Sequence, residues 1–158
     1  MEELAKTLGE RLKREGALLV TAESCTGGWA AQVVTSIPGS SDWFDRGYIT
    51  YSNDAKRELL GVRAETLSRR GAVSEETARE MAQGALARGK GTVALAITGV
   101  AGPGGGSKDK PVGTVCFAWA TNRGARVETK HFSGDRESVR RQSVIHALEG
   151  VLQTLDGA

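Results

Sequence analysis

A serine and a cysteine stand side by side in Ala22-Glu23-Ser24-Cys25-Thr26-Gly27-Gly28-Trp29, between the apolar run Ala17-Leu18-Leu19-Val20 and a helix-period pattern at Trp29, Ala30, Val33, Val34 and Ile37. That order predicts a strand, a tight glycine turn and a helix whose open N-terminus faces a hydroxyl. Unbonded N–H groups and a partial positive charge at such a terminus suit a phosphate or a developing oxyanion. Ser24 or Thr26 would equally serve as a plain helix cap, so the segment alone leaves both roles open. A Cys25 thiolate would be the better nucleophile, and a helix N-terminus lowers a thiol pKa. Neighbours on an extended segment point to opposite faces, however, so the site readily presents only one of the pair.

Three further segments carry chemistry. Tyr51-Ser52-Asn53-Asp54-Ala55-Lys56 places a tyrosine at a strand end and a lysine in the first turn of the following helix. A cation there opposes the helix dipole, and such a side chain most simply extends into solvent. The functional alternative is a general base. Bringing a lysine pKa from ~10.4 to ~7–8 takes roughly 4 kcal/mol. A helix terminus supplies at most ~2 kcal/mol, so burial would have to supply the rest.

The run Thr98-Gly99-Val100-Ala101-Gly102-Pro103-Gly104-Gly105-Gly106-Ser107 follows an apolar strand. It has no GK[ST] ending, and Ser107 stands where a GxGxxG motif needs its third glycine. Five glycines and a proline at a strand end favour a ligand-lining loop over a plain connection. In Asp135-Arg136-Glu137-Ser138-Val139-Arg140-Arg141, Glu137 and Arg141 form an ordinary (i, i+4) pair. Arg136 and Arg140 share the same spacing with like charge, which favours an anion between them, unless Asp135 neutralises one.

The chain of 158 residues fits one domain, 1–158, with a sizeable core. With 21 basic and 19 acidic residues the net charge is +2, which gives no electrostatic case for nucleic acid or an anionic membrane. No apolar stretch approaches the ~20 residues of a membrane span, and the acidic, amphipathic start is no signal peptide. The two cysteines, Cys25 and Cys116, form no CxxC motif, and His131 and His146 fit no HExxH pattern. Neither a metal nor a cofactor is expected, and a reducing, cytoplasmic setting is the simplest inference.

Periodicity predicts helices at 2–15, 27–36, 53–60, 74–88 and 135–155, and strands at 17–23, 43–51, 92–98, 113–120 and 126–132. Helices on either side of about five strands imply the α/β class: a three-layer α/β/α sandwich around a mixed, mainly parallel sheet.

Taken together, TAESCTGG (21–28), YITYSNDAKRELLGV (48–62), AITGVAGPGGG with KPVGTV (96–115) and FSGDRESVRRQ (132–142) resemble the CinA C-terminal domain family, the nicotinamide-nucleotide amidohydrolases. Four ordered motifs cover nearly the whole chain, in the form without the N-terminal domain that some members carry. The resemblance implies hydrolysis of the carboxamide of nicotinamide mononucleotide in pyridine nucleotide salvage, without metal. It also implies Ser24 as nucleophile, Lys56 as base, Tyr51 and Thr98 at the active site, and Arg140, or else Arg136, on the substrate. Members commonly look dimeric, so a homodimer, with Trp43 or Phe44 at its interface or in the core, is an expectation.

Within that frame, the N–H groups around Thr26, Gly27 and Gly28 would hold the oxyanion. The loop containing Gly99 and Gly102 would grip ribose and 5′-phosphate together with an arginine. The competing expectations are an amidase for another small amide and a non-catalytic nucleotide-binding module.

Overall fold

The computed structural model describes residues 1–157. Along the chain run α1 (Glu2–Arg14), β1 (Leu19–Glu23), α2 (Trp29–Thr35), a 3-10 turn (Ser40–Asp42), β2 (Phe44–Ile49), α3 (Asn53–Leu60), α4 (Ala64–Arg70), α5 (Glu75–Ala87), β3 (Val93–Gly99), β4 (Thr114–Thr121), β5 (Gly124–His131) and α6 (Arg136–Leu155). One five-stranded sheet has the order β2-β1-β3-β4-β5. β1 pairs in parallel with β2 and β3, whereas β4 runs antiparallel to both β3 and β5. Four of the five strands therefore point the same way, as a mixed, mainly parallel sheet requires.

The period of two along the strands separates large side chains from small ones. On one face Leu95, Ile97, Val115, Phe117 and Trp119 pack against α1, α2 and α6. The alternate positions Ala94, Ala96, Cys116, Ala118 and Ala120 face α5 and its neighbours. Small residues let α5 approach closely, and its Ala78, Ala82 and Ala85 are buried there. On its other side α5 meets α3 so tightly that a Cβ on Gly84 would lie 1.9 Å from the Leu60 carbonyl oxygen.

Predicted and observed elements agree to within a few residues, with two additions: α4 and the 3-10 turn. Trp43 is buried, lying where a Cβ on Gly9 would come within 2.5 Å of its ring, and Phe44 packs against the same core. Of the two roles considered for this pair, the structure gives the core.

Candidate active site

From β1 the chain passes over one face, through α2, to β2. It then crosses the other face, through α3, α4 and α5, to β3. The carboxyl ends of β1 and β3 thus lie where the connections diverge, the switch point at which open α/β sheets bind ligands. Ser24 follows β1 there, and Thr98 and Gly99 end β3.

Alternation along β1 assigns the side chains that follow. Val20 and Ala22 face the α3–α5 layer, so Glu23 turns toward α2 and Ser24 toward α3. Helix α3 starts at Ser52, whose Oγ accepts from the Ala55 N–H at 3.0 Å. That cap sets Lys56 in the first turn, and its Nζ reaches Ser24 Oγ at 2.9 Å, the Thr50 carbonyl at 2.8 Å and the Tyr51 carbonyl at 3.3 Å.

This coordination suits both charge states of the amine. An ammonium donates to all three oxygens. A neutral amine has two N–H bonds for the carbonyls, which leaves its lone pair for the Ser24 hydroxyl. Lys56 is only 1% exposed. Burial pulls its pKa from the ordinary 10.5 down to about 8, although Cys25 opposes the shift. The burial required of a basic lysine is therefore present.

The Ser24–Lys56 pair opens into a cavity of about 300 Å³, whose walls include Tyr51, Thr98, Gly99, Gly102 and Arg136. Thr98 Oγ1 donates to the Ala72 carbonyl at 2.8 Å, joining β3 to the segment before α5. Arg136 reaches across the mouth, with Nη1 2.9 Å from the Gly102 carbonyl and Nη2 3.4 Å from the Tyr51 hydroxyl. Positive φ angles at Gly102, Gly105 and Gly106, of 83°, 77° and 86°, let the loop curl over the cavity.

Three predicted binders stand elsewhere, and the fourth, Thr26, keeps only its backbone N–H on the turn that follows the serine. The side chains of Thr26 and Arg140, and the glycines 27 and 28, are outside the cavity lining. Gly27 and Gly28, at φ 59° and 102°, turn the chain, and the Gly27 N–H donates to the Ser24 carbonyl. The Thr26 hydroxyl donates to Glu23 Oε1 at 2.6 Å. Arg140 grips the turn itself, with Nε 3.0 Å from the Cys25 carbonyl and Nη2 3.2 Å from the Thr26 carbonyl. The terminus of α2 is also not open, because Glu23 accepts from the Ala30 and Ala31 N–H groups at 2.9 and 3.0 Å. Glu23, 1% exposed, is the site residue that sequence reasoning missed; its signal was a glutamate ending an apolar strand.

Cys25 belongs to the core on the α2 and α6 side and also borders the cavity. Burial pushes its thiol pKa up to about 12, which keeps it protonated at neutral pH. The Thr26 N–H, two residues after the serine, donates to no acceptor among the described residues, whereas the Cys25 N–H is turned to its own sulfur. The site thus joins a hydroxyl and a buried amine able to take its proton, with one free N–H on the turn that follows the serine, a set suited to nucleophilic attack on a carbonyl.

Comparison with known proteins agrees with this arrangement. Residues 1–155 match the family model for the CinA C-terminal domain. The chain is 54% identical over 152 residues to the nicotinamide-nucleotide amidohydrolase PncC of Escherichia coli strain K12, covering 96% of this chain and 92% of that protein. It is 52% identical over 150 residues to PncC of Pseudomonas putida, covering 95% and 94%. A crystal structure of a CinA superfamily protein from Klebsiella pneumoniae superposes with a TM-score of 0.96 at 39% identity, covering 99% of this chain and 98% of that one. By sequence, fold and coverage, the chain belongs to the CinA C-terminal domain family.

Proposed function

We propose that the protein hydrolyses the carboxamide of nicotinamide mononucleotide to nicotinate mononucleotide and ammonia, through a Ser24–Lys56 dyad acting in pyridine nucleotide salvage. The observation that carries the mechanism is Lys56 Nζ, 1% exposed and 2.9 Å from Ser24 Oγ, with its remaining N–H bonds met by two carbonyls. The names of the relatives support the choice of substrate.

Neutral Lys56 takes the Ser24 proton as the hydroxyl oxygen attacks the carboxamide carbon, and the carbonyl oxygen becomes an oxyanion. The Thr26 N–H stabilises that charge; one good donor of this kind is worth ~3–4 kcal/mol. Collapse of the intermediate breaks the C–N bond, and the Lys56 ammonium gives the proton to the leaving nitrogen, releasing ammonia and an acyl ester of Ser24. Water then attacks the ester with Lys56 again as base, which frees the carboxylate and restores the serine.

Arg136 and the free N–H groups of the glycine loop face the ribose and 5′-phosphate end. The Tyr51 hydroxyl, bonded to Arg136, orders that rim. The nucleotide is the only partner this chemistry requires, with no nucleic acid, membrane or cofactor, in a cytoplasmic setting.

The test is ammonia release from nicotinamide mononucleotide after chelator treatment, with wild type, Ser24→Ala and Lys56→Ala. Both substitutions abolish turnover, while Ser24→Ala keeps calorimetric affinity for the nucleotide. Turnover surviving in Ser24→Ala refutes the dyad. Binding without wild-type turnover refutes the enzymatic reading in favour of a nucleotide-binding module.

A further inference from the structure

The two arginines of the last helix, four residues apart, are engaged in different ways. Arg136 lines the cavity, whereas Arg140 is turned toward backbone. The segment Ser24–Gly27 is a tight turn closed by the Gly27 N–H on the Ser24 carbonyl at 3.0 Å. Its central peptide joins Cys25 to Thr26. Arg140 Nε binds the carbonyl of that peptide, and Nη2 binds the carbonyl of the next. A trans peptide is planar, with C=O and N–H on opposite sides. Holding the Cys25 carbonyl toward α6 therefore turns the Thr26 N–H away from α6, toward the side on which Ser24 meets Lys56.

We infer that Arg140 is a positioning residue for the reaction: its guanidinium fixes the peptide plane between Cys25 and Thr26, so that the Thr26 N–H points at the developing oxyanion. The inference rests on the amide hydrolysis proposed above and assigns Arg140 a task other than gripping substrate. Two features favour a fixed clamp. A Cβ on Gly27 would lie 3.5 Å from Arg140 Nη2, so the turn and the guanidinium are in close contact. Trp29 also carries the guanidinium carbon over its ring at 5.5 Å, holding the fork from a second direction. Across the turn, Glu23 accepts the Thr26 hydroxyl and the first N–H groups of α2. The Thr26 hydroxyl and the start of α2 are thus held by a carboxylate, and two carbonyls of the turn by a guanidinium. Preorganised donors act because they need no reorientation when charge forms, so loosening them lowers the rate of the chemical step and leaves substrate binding intact.

Steady-state kinetics on nicotinamide mononucleotide with Arg140→Ala, Arg140→Lys, Arg136→Ala and Arg141→Ala tests this. Loss of one oxyanion donor costs about 100- to 1000-fold. A misaimed donor in Arg140→Ala is expected to lower kcat about 10- to 100-fold, with KM within about twofold of wild type. Arg140→Lys keeps charge and stem but loses the two-pronged fork, and falls between. It also covers the case in which the alanine variant does not fold. Guanidinium ion added to Arg140→Ala restores part of kcat, a rescue that a general packing defect would not show. Arg136→Ala raises KM, whereas Arg141→Ala, which removes only an exposed pair with Glu137 and a second contact to Trp29, leaves both constants unchanged. A rise in KM with kcat retained in the Arg140 variants overturns the inference and makes Arg140 a substrate ligand. Unchanged kinetics overturns it as well. If wild type releases no ammonia, the proposed function itself has failed, an outcome separate from either.

Discussion

Lys56→Met separates what the buried amine does for catalysis from what it costs the fold. Its pKa falls from 10.5 to about 8 on folding. At ~1.4 kcal/mol for each tenfold change, that is about 3 kcal/mol against the charged form at neutral pH. Methionine fills similar space without charge, but leaves the Thr50 and Tyr51 carbonyls without their donor, at about 1 kcal/mol each. The variant is therefore expected to be more stable than wild type at pH 7 by about 1 kcal/mol, or roughly 2–4 °C in Tm.

The order then inverts with pH. Between pH 8 and 10.5 the unfolded chain keeps a proton that the folded protein has released, so raising the pH favours the folded wild type. The variant lacks that gain and ends about 2 kcal/mol less stable near the top of the window. Urea or thermal unfolding of both proteins from pH 7 to 10.5 reads the crossing directly, because other titrating groups cancel in the difference. In parallel, wild-type kcat/KM rises about tenfold per pH unit up to about pH 8, and Lys56→Met shows no turnover. Stability curves that stay parallel across this range, or a kcat/KM indifferent to pH below 8, refute the depressed amine and the mechanism built on it.

Two further outcomes follow from the neighbours of the serine. With its thiol pKa at about 12, Cys25 resists iodoacetamide in the folded protein at pH 8, and Cys25→Ala keeps wild-type turnover; rapid alkylation or lost activity would return it to the list of nucleophiles. Glu23→Gln keeps one acceptor for three donors, so it loses about 2 kcal/mol, some 4–8 °C in Tm by thermal unfolding, and an unchanged Tm would show that the carboxylate does not organise the turn.

Local patterns announced most of the fold. The strand-to-helix order around Ser24, the start of α3 at Asn53 and the apolar stripe of α6 are each written in neighbouring residues, and each formed as expected. Helix α4 was hidden because Arg63, at its N-cap, supplies no capping side chain; its first turn is tied instead by Glu80 of α5, which accepts from the Arg63 N–H and the Thr66 hydroxyl. The site divides the same way. Ser24, Lys56 and Arg136 carry chemistry suggested by type and position, while Thr98 enters only through the family resemblance. The task of Arg140 depends on a carbonyl 115 residues away, and that of Glu23 on a helix that begins without a side-chain cap of its own. Spacing alone pairs Arg136 with Arg140 as one anion site; the rotation of α6 sends one into the cavity and the other to the turn.

The glycine loop joins two antiparallel neighbours, and this gives the cavity walls unequal freedom to evolve. Ladder bonds clamp its two ends, with the Val100 N–H on the Thr114 carbonyl and the Gly113 N–H on the Val100 carbonyl. Lengthening a loop whose ends are already fixed costs only about 0.6 kcal/mol per doubling. The rim that meets the far end of a substrate can therefore be rewritten by insertion or deletion while the sheet remains as it is. The wall bearing Ser24 and Lys56 has no such latitude, since a one-residue slip in β1 would exchange the directions of Glu23 and Ser24. Descendants of this chain would be expected to change what they accept before they change how they cut it.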